Sequence, residues 1–202
     1  MVPAFSVSAG GRIFYNGMFD IFDYWSGANN FRAIIDNNLD NQNNGFGIGG
    51  FFDATYVEIG MDFIFSSLNP LRGDTELKST YFGFTILGKF PVSAGPGVTF
   101  FPLAGIDYQI FLSGKAEGLT IERDDMSGDY EDRYDAFSLV VGAGLDYNIT
   151  GKLYLRGEVL INFKMEDDFD KMLKKLAKED DVSFSGVFTM GPRVSLGIGY
   201  RF

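Results

Sequence analysis

An all-β fold, an eight-stranded antiparallel up-and-down barrel that crosses a membrane, is what this 202-residue sequence predicts, on three observations. Apolar and polar residues alternate along eight successive segments, the connections between segments are alternately long and short, and the apolar face of nearly every segment is free of charge. Alternation is the period of a strand with two unlike faces. Long connections at one end and short turns at the other fit a barrel with different surfaces on the two sides of a bilayer. Residues 1–202 read as a single domain, an ordinary size for an all-β barrel.

The first segment sets Phe5, Val7, Ala9, Gly11, Ile13 and Tyr15 against Ser6, Ser8, Gly10 and Arg12. The second, Gly45 to Asp53, sets Phe46, Ile48 and Phe52 against glycines, and the third sets Val57, Ile59, Met61, Phe63 and Phe65 against Glu58, Gly60 and Asp62. In the fourth, Phe82, Phe84, Ile86 and Phe90 oppose Tyr81, Gly83, Thr85 and Lys89; in the fifth, Val98 to Leu112, Phe100, Ala104, Ile106, Tyr108 and Ile110 oppose Thr99, Gly105, Asp107 and Gln109. The sixth opposes Phe137, Leu139, Val141, Leu145 and Tyr147 to Ser138, Gly142, Gly144 and Asp146. The seventh opposes Leu153, Leu155, Val159, Ile161 and Phe163 to Tyr154, Arg156, Glu158 and Asn162. The eighth, within Ser183 to Phe202, opposes Phe188, Val194, Leu196, Ile198, Tyr200 and Phe202 to Arg193, Ser195, Gly197 and Arg201. Pro102 and Pro192 fall inside strands, where each removes a ladder donor, so a bulge or local break is expected at each.

The connections sort by length. Tight turns are expected around Ala54, Gly95 and Thr150, the second a compact Pro/Gly turn "PVSAGPG". The others are long: an asparagine-rich segment, "SSLNPLRGDTELKS", the acidic "GKAEGLTIERDDMSGDYEDRY", and one holding "DDFDKMLKKLAKEDD". That last one could form a short helix with Phe169, Met172, Leu173 and Leu176 on one face, or a solvated charged excursion.

Composition removes several function classes. The sequence has no cysteine and no histidine, which excludes disulfides, thiolate metal sites and the usual general base. A net charge of −10 argues against a nucleic-acid partner, since phosphate binding needs clustered Lys and Arg. No run approaches the ~18 apolar residues of a membrane helix. The start "MVPAFSVSAG" lacks the basic and apolar regions of a signal peptide, so Met1 is read as a start residue before a mature, exported chain.

Alternation leaves open which face is buried. A soluble barrel turns its apolar residues inward, a membrane barrel outward. Uncharged apolar faces, aromatics recurring near strand ends and segments of about 9–11 residues favour lipid on the apolar side.

The chain stops on Ser195-Leu196-Gly197-Ile198-Gly199-Tyr200-Arg201-Phe202. This pattern, with Ser195, Gly197, Tyr200 and Phe202 at its key positions, resembles the C-terminal signal of bacterial outer-membrane barrels. The whole chain resembles the small eight-stranded members of that group, the OmpA transmembrane domain and OmpX type, in topology and terminal motif. The resemblance implies a bacterial outer-membrane location, a lipid bilayer around the barrel and recognition of the last strand by the barrel-assembly machinery; a monomer is expected. Lipid-modifying enzymes on barrels of this size depend on histidine, so an enzyme is not expected, nor is a cofactor.

Three groups of residues are candidates for a role. Arg12, Lys89, Arg156 and Arg193, with Glu58, Asp62, Asp107 and Glu158, fall on inward faces, four charges of each sign. An eight-strand lumen is just wide enough for side chains to fill, so these groups are expected to pair and plug it. Phe14, Ile64, Tyr81, Phe111 and Leu160 also point inward near the long-loop end; they form either packing under the loops or an apolar cup, as at the mouth of a hydrophobic-substrate channel of the OmpW type. Asp124, Asp125, Asp129 and Glu131 are a weak candidate for a hard cation, in an order that does not match an EF-hand. The expected function is that of a surface structural or adhesion-type protein that meets host or surface proteins through its loops. The alternative is a narrow channel for small hydrophobic molecules.

Overall fold

Strand β1 (Val7–Phe22) lies between β2 (Gln42–Ala54) and the last strand, β10 (Val187–Arg201), so the first and last strands meet side by side. That pairing closes a cylinder. Its order is β1, β2, β3 (Val57–Leu68), β4 (Leu77–Lys89), β6 (Val98–Ala116), β8 (Ala136–Asn148), β9 (Leu153–Lys164) and β10, each antiparallel to its neighbours. The register runs from Ser8↔Arg201 to Phe22↔Val187 across the closure, and the Phe202 amide donates to the Val7 carbonyl at 3.0 Å. Closure leaves none of these eight strands at an edge of the sheet, the condition for crossing hydrocarbon. The computed structural model describes residues 6–22, 42–68, 77–116, 119–123, 135–165 and 187–202.

The eight strands expected from alternation are the eight staves. Two short strands add to them: β5 (Val92–Gly95) and β7 (Leu119–Glu122), both paired to β6. The segment expected as a compact Pro/Gly turn therefore carries a strand. Lys89 pairs with Leu103 and Val92 with Phe100 in one register, so β5 continues β4 beyond Phe90 and Pro91. The turn itself falls at Gly95 and Gly97, whose φ angles of 151° and 74° suit glycine. Among the other short turns, Thr55 adopts φ 53° and uses its hydroxyl to accept from the Ser6 amide (2.7 Å) and donate to the Ser6 carbonyl (2.9 Å). The Thr150 hydroxyl accepts from the Leu153 amide at 2.9 Å.

Neither proline makes a bulge. The ladder from β6 to β8 runs through Pro102↔Ala143 and that from β10 to β9 through Pro192↔Ile161 without a shift. The missing donor shows on the other side of each strand. Pairing of β10 with β1 skips from Asn16↔Arg193 to Phe19↔Met190, and pairing of β6 skips from Leu103 to Phe100. A register shift does occur in β6 opposite Thr80 and Tyr81, where no proline marks it.

Burial is the reverse of a water-soluble barrel. Ile13, Phe46 and Leu196 are 62%, 65% and 66% exposed on the outer wall, whereas Asp62 and Asp107 inside are fully buried. Outward aromatics include Tyr15, Phe52, Phe90, Tyr108, Tyr147, Tyr200 and Phe202, many near strand ends, the place of an interfacial girdle.

Candidate functional site

The lumen is filled with charge. Arg156 on β9 points inward beside Asp146 of β8, donating from Nε at 2.7 Å and Nη2 at 2.9 Å, the two-pronged geometry guanidinium favours. The same side chain reaches across to Asp53 at 2.5 Å and to Glu58. Its flat face rests near the rings of Phe51 (4.6 Å), Phe101 (5.0 Å) and Tyr154 (5.3 Å), contacts that favour a cation over an aromatic face. Lys89 of β4 pairs with Asp53 and lies 4.6 Å above the Phe101 ring.

One layer further from the short turns, Arg12 of β1 forks onto Asp62, with Nε at 3.0 Å and Nη2 at 2.7 Å, and donates from Nη1 to Glu58 at 3.0 Å. Glu158 stands 3.5 Å from Arg12 and accepts from Ser195 at 2.9 Å. Arg193 of β10 lies 3.4 Å from Asp107 and 3.7 Å from Asp62, and its guanidinium stacks 4.5 Å over Phe14. Asp107 also accepts from Thr85 (2.7 Å) and Gln109 (2.7 Å). Paired, hydrogen-bonded charges are the form in which buried ions are tolerated.

The structure brings all eight residues of the expected ion-pair group into this lumen. It also adds two that the sequence reading left out. Asp53 and Asp146 are buried in it and Arg201 reaches Asp146 at 3.8 Å from the mouth, so among the described residues five basic groups face six acidic ones and the expected four-to-four balance is corrected. Their signal was present: Asp146 stands on the polar face of the sixth segment, and Asp53 continues the inward parity of Gly45, Gly47, Gly49 and Phe51 but abuts a turn. At the short-turn mouth a polar recess of about 160 Å³ opens beside Asp53, Lys89, Asp146, Asn148 and Arg201. At the opposite rim Arg123 pairs with Asp135 at 2.7 Å.

Of the five residues grouped as an apolar cup, Phe14, Ile64, Phe111 and Leu160 are buried, and Tyr81 meets Phe111 edge to face with centroids 5.7 Å apart. Leu160 belongs elsewhere. It packs with Leu87, Phe101, Leu103 and Val140, an apolar cluster on the β4–β6–β8–β9 side. Inward glycines make room for the large lumen side chains: a Cβ at Gly144 would lie 2.3 Å from the Phe101 ring and one at Gly47 2.1 Å from Phe14.

The terminal motif splits between faces. Ser195 and Gly197 point inward, while Tyr200 and Phe202 are 44% and 75% exposed on the outer wall, with rings 5.8 Å apart. Asp124, Asp125, Asp129, Glu131 and the expected helical face at 169–176 lie outside the described residues. Among the described residues no group of three or more carboxylates could hold a metal ion.

A closed antiparallel cylinder with an apolar wall outside and paired charges within defines a membrane-spanning barrel, not a soluble one. The chain belongs to the outer membrane protein beta-barrel domain family, whose model matches residues 16–202. It is a small eight-stranded barrel of the bacterial outer membrane. The fold is similar to that of Neisserial surface protein A (NspA), at 11% identity and a TM-score of 0.54, over 96% of this chain and 97% of that one. Weaker likenesses reach Ail, the attachment invasion locus protein of Yersinia pestis, solved with the heparin analogue sucrose octasulfate (15% identity, TM-score 0.45, 97% and 99% covered). The outer membrane protease OmpT of Escherichia coli matches at 12% identity and a TM-score of 0.38, with 99% of each chain covered. No curated protein sequence matches the chain.

Proposed function

We propose that this barrel is a surface structural or adhesion-type protein, with its lumen plugged by ion pairs and its contacts made by the long connections on one side. The observation that carries this reading is the lumen itself. Arg12, Arg156 and Arg193 each touch at least two carboxylates from other strands, so side chains span the interior from wall to wall. An interior filled in this way supplies anchorage rather than a route for solutes. The segments 23–41, 69–76, 124–134 and 166–186 join strand ends on one side, the side that faces outward in such barrels. Catalysis is not part of the proposal, because histidine-dependent acyl transfer has no histidine to use. The partners proposed are the lipid around the wall, the assembly machinery at the last strand, and host or surface proteins at the loops, with the barrel acting as a monomer.

Cells displaying the wild-type chain should adhere to host-cell monolayers more than cells displaying a variant with 23–41, 124–134 and 166–186 shortened to tight turns, at equal barrel abundance. Equal adhesion by both would overturn the adhesion reading. Uptake of small apolar solutes into liposomes by the wild-type barrel, altered by Tyr81→Ala or Phe111→Ala, would support the narrow-channel alternative in its place.

A further inference from the structure

Besides Glu158 Oε1 within the ion-pair group, four inward residues on adjacent strands carry buried polar atoms with no hydrogen-bond partner among the described residues. They are Asn16 Oδ1 on β1, Arg193 Nε and Nη2 on β10, Asn162 Nδ2 and Oδ1 on β9, and Ser138 Oγ on β8. All four are at least nine-tenths buried, with Asn162 fully so. They are neighbours around the wall. Asn16 pairs directly with Arg193; Asn162 is one inward position along from Leu160, which faces Arg193; Ser138 is one along from Val140, which faces Asn162. On β1, β9 and β8 the residue lies on the long-loop side of that strand's ion-pair residue, beyond Arg12, Glu158 and Asp146, and on β10 Arg193 is the ion-pair residue itself. Phe14, Leu160 and Val140 come between on three of them.

An unpartnered buried donor or acceptor is costly, and native proteins satisfy such groups with ordered solvent where protein atoms do not reach. The chemistry of the set selects the ligand. Arg193 leaves free the Nε–Nη2 edge, the one with which Arg12 and Arg156 grip carboxylates. An anion is disfavoured there by Asp107 and Asp62, which lie 3.4 Å and 3.7 Å from Nη1 of the same guanidinium. A cation is disfavoured by Arg193 itself. The orphans comprise both donors (Arg193, Asn162) and acceptors (Asn16, Asn162, Ser138), so the occupant must donate and accept, and it must be neutral.

We propose that Asn16, Ser138, Asn162 and Arg193 form a binding site for a cluster of about two or three ordered waters, since a buried water makes about three hydrogen bonds. The lumen then has two regimes, a hydrated chamber toward the loops and an ion-paired plug beneath it. The chamber is closed below by Arg12, Asp62 and Glu58 and conducts nothing. This site is independent of what the loops bind.

A high-resolution diffraction structure of the intact barrel tests the site directly. Waters within hydrogen-bond distance of Arg193 Nε and Nη2 and of the Asn162 amide are expected; no density there, or density of a larger molecule, overturns the proposal. Stability of Asn162→Leu and Ser138→Ala in lipid bilayers gives an independent reading. In a hydrated site both variants lower the denaturant midpoint, because each strands the remaining waters and Arg193. In a dry site Asn162→Leu raises the midpoint by removing an unsatisfied amide, and that result overturns the proposal. Should Asn162→Leu not fold, Ser138→Ala decides by the same sign.

Discussion

The two faces of β1 show how differently one strand is read by its surroundings. Ile13, 62% exposed, and Arg12, 4% exposed, are adjacent residues, yet one is held by lipid and the other by three carboxylates from β3 and β9. Outside, any apolar residue of suitable shape serves, because lipid adapts to it. Inside, the charged side chains are fixed by particular partners on particular strands, so the lumen carries the specificity of the fold and the wall carries its solubility in the bilayer.

Breaking the inside should therefore cost most. Arg156→Ala removes one partner each from Asp146, Asp53 and Glu58 at once and is expected to cost about 3–5 kcal/mol where the site is dry. Urea unfolding in liposomes measures this, and Asp146→Asn in the same background should recover part of the loss. If Arg156→Ala were neutral, the pairs would be incidental to stability.

A charge on the outside should cost somewhat less. Val159, 56% exposed midway along β9, replaced by Arg should lose about 2–4 kcal/mol in a bilayer, as lipid-facing charges at the midplane do. The same measurement reports it, and the penalty should shrink for outward positions near the strand ends.

Glycines sharpen the comparison further. A Cβ at inward Gly142 would lie 2.2 Å from the Val159 carbonyl oxygen, so Gly142→Ala forces backbone apart and should cost about 1–3 kcal/mol. At outward Gly11 the nearest atom is 3.7 Å away, and Gly11→Ala should stay within about 1 kcal/mol of wild type. Similar penalties at both positions would erase the distinction between the faces.

The smallest effect on stability belongs to Phe202. Its ring is 75% exposed on the outer wall, so Phe202→Ala should shift unfolding by under about 1 kcal/mol, with detergent refolding intact. If the terminal aromatic is an assembly signal, the amount of folded barrel in outer-membrane fractions should still fall. Normal membrane levels would remove that role.

The alternation of the sequence was enough to divide wall from lumen, because a period of two reports the face of every residue once one face is known. Which inward residues meet was not legible. Arg12 finds Asp62 fifty positions away through the register of β1, β2 and β3, and alternation carries no register. Asp53 hid beside a turn, where parity is easily lost. Leu160 was grouped with Phe14 by its distance along the strand, but it packs with Leu103 and Val140 on the opposite sector. Pro102 and Pro192 signalled interrupted pairing correctly in kind, and the structure places the interruption on one side of each strand without a bulge.

Planar-bilayer recording of the purified wild-type barrel tests the central claim most directly. With Arg12, Arg156 and Arg193 bridging the lumen to carboxylates of facing strands, no steady conductance is predicted at either polarity. A steady current comparable to that of a general porin would contradict the plugged lumen.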